Sequence, residues 1–165
     1  LTQFSIIVLL ASISLLYSFE EKKKTYTLSN KELLEFLQGY TDQFGIEFFP
    51  SDRVVIFRGK EIKSYLSSQA LWDRSFEKNH PGSHGMNASF ANYLMSMGFV
   101  VIKECAESDR GRGVTQIAFT WGKDNIAIHY ILYSIYEHPS VGNEVRLSFF
   151  HEDVCGEDYR RAPGE

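Results

Sequence analysis

Residues 114–150, VTQIAFTWGKDNIAIHYILYSIYEHPSVGNEVRLSFF, decide how the rest of the chain is arranged. From Val114 to Trp121 apolar and polar residues alternate, which places Ile117, Phe119 and Trp121 on one face of a strand. Gly122-Lys123-Asp124-Asn125 has the composition of a tight turn. Ile126 to Tyr136 is then apolar at both alternating sets of positions, the pattern of a strand covered on both faces in the middle of a sheet. His138 to Asn143 turns the chain again, and Glu144 to Phe150 returns as a further strand. Connections this short make neighbouring strands antiparallel. The apolar start of Phe99–Cys105, joined to Val114 through the charged Asp109–Gly113 connection, adds a fourth strand to the three.

Upstream, Ser29-Asn30-Lys31-Glu32 is a capping box, with Leu28 and Leu33 placed as a hydrophobic staple. Leu33, Leu34, Phe36, Leu37 and Tyr40 continue it as an apolar stripe, so a helix is expected over 30–43. Gly45–Phe49 and Val54–Phe57 are short β-prone runs about Pro50-Ser51-Asp52-Arg53, the layout of a small hairpin. The spacing of Ile62, Tyr65, Leu66, Trp72 and Phe76 predicts a second helix over 60–76. Asn79–Gly85 reads as a loop, Asn87 as the cap of a third helix through Met97, and Gly98 as its stop. The expected fold is therefore α+β: an N-terminal hydrophobic helix, then about three helices packed on an antiparallel sheet of three to five strands.

Phe4 to Phe19 carries no charge. As a helix it would rise about 24 Å, against roughly 30 Å for a bilayer core. Residues 1–19 read as a signal peptide or a retained membrane anchor, 20–28 as a charged linker, 29–155 as one α+β domain and 156–165 as a polar tail. The expectation is a membrane-anchored or exported protein, attached through residues 4–19 and facing the periplasmic or extracellular side. Lys22-Lys23-Lys24 argue for the opposite side by the positive-inside rule. Cys105 and Cys155 are the two cysteines of the chain, and export would pair them in a disulfide.

A net charge of −4 and a pI near 5.8 argue against nucleic acid as a partner. No motif calls for a cofactor. His80 and His84 flank Pro81-Gly82-Ser83 and form a weak metal-binding pair that lacks evident third and fourth ligands. His151 stands beside Glu152 and Asp153, but neighbours on an extended chain point apart, and His129 lies mid-strand as a structural residue. Gly-x-Ser-x-Gly is absent, and Ser83 has no strand before it. Asn87-Ala88-Ser89 matches a glycosylation sequon.

Two features suit recognition: the Asp109-Arg110-Gly111-Arg112 loop and the aromatics Trp121, Tyr133 and Tyr136. The expected contact residues are therefore Asp109, Arg110, Arg112, Trp121, Tyr133 and Tyr136. Together these readings point to a non-enzymatic protein-binding module of the cell envelope, either an accessory subunit of a membrane complex or an inhibitor-type or immunity-type protein. Its partner would be another protein, membrane-associated or exported. The alternatives are a small hydrolase or metal-dependent enzyme assembled from Asp73, His80, His84 and His151, and a small-ligand carrier.

Overall fold

A computed structural model describes residues 25–71, 85–138 and 142–157. Helix α1 (Asn30–Phe44) begins where its capping box places it. Ser29 Oγ accepts from the Glu32 amide at 3.4 Å, and Glu32 Oε2 accepts from the Ser29 amide at 2.9 Å, so two donors orphaned at a helix start are satisfied reciprocally. Gly45, with φ of 70°, closes the helix by donating to the Thr41 carbonyl at 2.7 Å.

Hydrogen bonds from the Ser29 and Tyr26 hydroxyls hold the Glu32 carboxyl at about 2 instead of the ordinary 4.5. A carboxyl depressed by folding contributes stability that is complete above its unfolded value and is lost as pH falls through about 2. Ser29→Ala is expected to move the Glu32 titration back toward the ordinary carboxylate range. An NMR titration of the Glu32 side-chain carbon that still centres near 2 in the variant would refute this assignment.

Four long strands, β6 (Val100–Asp109), β7 (Val114–Lys123), β8 (Ile126–His138) and β9 (Gly142–Phe150), form an antiparallel meander. Two short strands, β2 (Phe48–Pro50) and β5 (Leu66–Ser68), extend it, in the order β2-β5-β9-β8-β7-β6. β9 ends at Phe150 opposite His129, and β1 (Tyr26–Thr27) pairs in parallel with the remaining start of β8. A separate hairpin, β3 (Val54–Phe57) and β4 (Lys60–Lys63), turns through Arg58 and Gly59 at φ of 50° and 74°. Two successive residues at positive φ are what a type I′ hairpin turn requires, and Gly59 meets that requirement without steric cost.

Both faces of the sheet are covered, as the composition of β8 requires. Ile128, Tyr130 and Leu132 join Phe119, Trp121, Leu147 and Phe149 under α1 and α2 (Met86–Ser96), whose Leu33, Leu37, Phe90 and Leu94 complete the main core. On the opposite face Ala118, Ile131 and Phe150 pack against Phe57 of the hairpin and against the Cys105–Cys155 disulfide. The disulfide ties the segment after β9 to β6, with a Cα–Cα distance of 5.7 Å.

The α+β class stands, but the expected count of about three helices on three to five strands is corrected to two helices and nine strands among the described residues. The helix expected over 60–76 is instead β4 and β5 as far as Ser68. Ile62, Tyr65 and Leu66 suit a helical stripe, yet pairing of Leu66 with Phe149 and of Ile62 with Val55 wins. Phe48–Pro50 and Val54–Phe57 do not pair with each other; β2 pairs with β5 and β3 with β4. Asn87 does not cap α2. Gly85 occupies that position, and Asn87 Oδ1 is buried without a partner.

The run 4–19 lies outside the described residues. Among the described residues no helix is long and apolar enough to cross a membrane. The expected transmembrane helix, the attachment of the protein and its partner to a membrane, and the anchored or exported location are corrected accordingly. What is described is an α+β domain with its own two-sided core.

Candidate functional site

Three places on the described surface and in its polar interior combine chemistry with geometry. The first is a groove of about 510 Å³ between the β3–β4 hairpin and the outer face of the sheet. Period-two alternation in β9 builds its wall: Val145, Leu147 and Phe149 enter the main core, which leaves Glu144, Arg146 and Ser148 on the other side. Arg146 donates to Glu144 Oε1 at 2.8 Å, and both side chains are mostly buried, at 15% and 21% exposure. Tyr133 from β8 and Gln116 from β7 line the same space, with Ile131 beneath and Arg53, Val54 and Ile56 of the hairpin side across from them.

Gln116 Nε2 donates to the Ile56 carbonyl at 3.0 Å, one of the polar ties holding the hairpin over the sheet. At the hairpin tip the Arg58 amide donates to Glu107 Oε2 at 2.6 Å. Burial raises the Tyr133 hydroxyl above its ordinary value, helped by Glu144 and opposed by Arg53. The phenol is therefore a neutral donor at the groove. Among the described residues Arg53 makes no ion pair, so the groove holds two guanidinium groups against the single carboxylate of Glu144.

The second place is the corner where α2 runs into β6. Met95, Met97, Val100 and Ile102 are 53%, 42%, 65% and 48% exposed, and they are four of the eight large hydrophobic side chains exposed among the described residues. A bulge between Val101 and Lys103 leaves Ile102 over Gly122, where a Cβ would meet the end of the Ile102 side chain. Lys123 Nζ reaches the Met97 carbonyl at 2.8 Å and joins the two elements. β6 is an end strand of the sheet, with no further strand paired to its outer edge among the described residues.

The third is a polar chain beside the disulfide. Lys103 pairs with Asp153, Asp153 Oδ1 accepts from Thr120 at 3.3 Å, and Thr120 Oγ1 lies 3.0 Å from His129 Nδ1. With the Thr120 hydroxyl given to Asp153, His129 Nδ1–H donates to Thr120. Desolvation holds His129 below its ordinary value, against the pull of Asp153. A neutral imidazole bound this way is structural: Thr120 is 5% and His129 8% exposed, and the chain fastens the segment after β9 to the sheet.

The residues singled out in the sequence are scattered among these places. Asp109 accepts from the Gly111 and Arg112 amides at 3.0 and 3.3 Å and pairs with Arg112 at 3.5 Å, so it shapes the β6–β7 turn. Arg110 is exposed on that turn. Trp121 is 2% exposed and donates to the Tyr130 hydroxyl at 3.2 Å inside the main core, away from any surface. Tyr133 lines the groove and Tyr136 lies within β8. His151 stacks on Tyr65 with ring centroids 3.9 Å apart, on a second, more open depression. Asp73, His80 and His84 lie outside the described residues. Among the described residues no group of three or more His, Cys, Asp or Glu side chains is placed to hold a metal ion.

Arg53, Glu144 and Arg146 were missed by the sequence reading, although charged residues alternating with core positions in β9 were a usable signal. No protein-family model, curated protein or solved structure matches the chain.

Proposed function

We propose that this chain is a non-enzymatic protein-binding module whose contact surface is the β6 edge together with the end of α2. The observation that carries the reading is the gathering of Met95, Met97, Val100 and Ile102 beside the open outer edge of an end strand. Exposed apolar side chains scattered singly need no explanation, but a cluster rimmed by charge marks a contact site. The bulge divides the edge into two parts. Val100 and Ile102 offer exposed side chains, and Lys103–Asp109, in regular register with β7 on its inner side, offers a strand edge to which no further strand is paired among the described residues. An extended segment of another protein satisfies both at once by adding a strand to the sheet. The aromatic residues and the Asp109–Arg112 turn take no leading part in this contact, since Trp121 is interior, Tyr133 lines the groove and the turn follows the far end of β6 from Val100.

A photo-crosslinking amino acid at Val100 tests the proposal in an extract of the protein's own host. The expected result is one saturable protein adduct that is absent when the probe replaces Lys31, whose side chain is 87% exposed on α1. Ile102→Lys should reduce that adduct about tenfold by placing a charge in the apolar contact. Equal labelling from both positions, or an adduct consisting only of a second copy of this chain, would overturn the proposal.

A further inference from the structure

We infer that the groove beneath the β3–β4 hairpin is a binding site for a small organic carboxylate with an apolar body. Its volume of about 510 Å³ is that of a small-molecule site, and its lining is amphipathic. Val55 and Ile131 offer an apolar wall and floor, while Arg53, Tyr133 and Arg146 offer donors. In a chain of net charge −4, a groove with two guanidinium groups and one carboxylate has a local excess of positive charge. The surplus lies with Arg53, because Arg146 is bonded to Glu144 at 2.8 Å.

That balance selects the anion. A guanidinium fork matches a carboxylate in two parallel hydrogen bonds, and the neutral Tyr133 hydroxyl is a further donor. A doubly charged phosphate would bring more charge close to Glu144, whose own countercharge is already engaged, so a monoanion is preferred. Arg146 and Glu144 form the fixed wall on β9, whereas Arg53 comes from the hairpin side. A two-stranded hairpin is only marginally stable alone, and this one is secured to the sheet by Phe57, Gln116 and the Arg58–Glu107 contact. The site lies toward the start of β9, away from the β6 corner, and does not depend on the protein-binding proposal.

NMR titration of the full chain with 4-phenylbutyrate, decanoate, phenyl phosphate and uncharged 4-phenylbutyramide tests the assignment. Saturable shifts confined to the Val55, Gln116 and Tyr133 amides are expected for the two carboxylates. The amide should bind about tenfold more weakly through the loss of one charge-assisted contact, and the phosphate should bind about tenfold more weakly through its second charge beside Glu144. Arg53→Ala should weaken carboxylate binding about tenfold, with Arg53→Lys recovering part of it. Glu144→Gln should strengthen binding severalfold by freeing Arg146, a gain that damage to the fold would not produce. The inference is overturned if neither carboxylate saturates below about 10 mM. It is equally overturned if the uncharged amide binds as well as its acid, or if Arg53→Ala leaves the carboxylate affinity unchanged.

Discussion

Replacing Cys105 and Cys155 together by alanine is expected to lower the unfolding free energy by about 4 kcal/mol. The two residues are 50 apart in sequence, and closing a loop of that length removes much of the conformational freedom of the unfolded chain. In a domain of this size the loss corresponds to a fall in melting temperature on the order of 10 °C. The bridge also has a local task. It holds the segment from His151 to Glu157 against β6, where Asp153 completes the chain through Thr120 to His129 and Val154 packs on the outer core. Equilibrium denaturation of the double variant, and of the native protein with and without reductant, measures the effect. A double variant within about 1 kcal/mol of the native protein would mean that the bridge constrains little, and the entropic account would have to be abandoned.

Phe90→Ala should cost a similar amount, about 3–5 kcal/mol, through a different mechanism. Phe90 is fully buried at the centre of the main core. Its ring meets Tyr40 and Tyr130 edge-on at 5.1 Å each and Phe149 at 5.9 Å. Those rings come from α1, β8 and β9, so truncation leaves a cavity that no single element can close. Phe90→Leu, which fills most of the space, should retain well over half of the lost stability. The two lesions lie on opposite faces of the sheet, the disulfide in the outer cluster and Phe90 in the helix-covered one. Their effects in the triple variant should therefore add to within about 0.5 kcal/mol. A coupling several times larger, read from the same denaturation curves, would show that the sheet transmits packing strain between its faces. Because α2 docks through Phe90 and Leu94, Phe90→Ala should also blunt crosslinking at the β6 corner, whereas the cysteine double variant should not.

Local signals were legible where the chemistry is local. The Ser29–Glu32 box states its own hydrogen bonds, and α1 starts there. The two-faced composition of Ile126–Tyr136 requires cover on both sides, and helices and hairpin supply it. Arg58-Gly59 was a local signal that went unread, because the helical spacing of Ile62, Tyr65 and Leu66 matched an equally simple pattern. Trp121 shows a different limit. Its alternation with Phe119 was correct, but alternation assigns residues to a face and does not say which face is covered.

The candidate groove was less legible still. Glu144 and Arg146 were recognisable as one side of β9, but Arg53 is more than ninety positions earlier in the chain and joins them only because the hairpin folds over the sheet. By itself the amino-acid order determined the α+β class, the start of α1, the β6–β9 meander and which two thiols were available to pair. These follow from periodicity, capping and turn chemistry, which act over a few residues. The tertiary structure alone decided that 60–68 is strand, that Trp121 is interior, that the β6 edge stays open and that Arg53 faces Arg146 and Tyr133 across a groove. Each of those depends on which distant segments win the competition for the sheet's edges and faces, and that competition is settled by long-range pairing and burial.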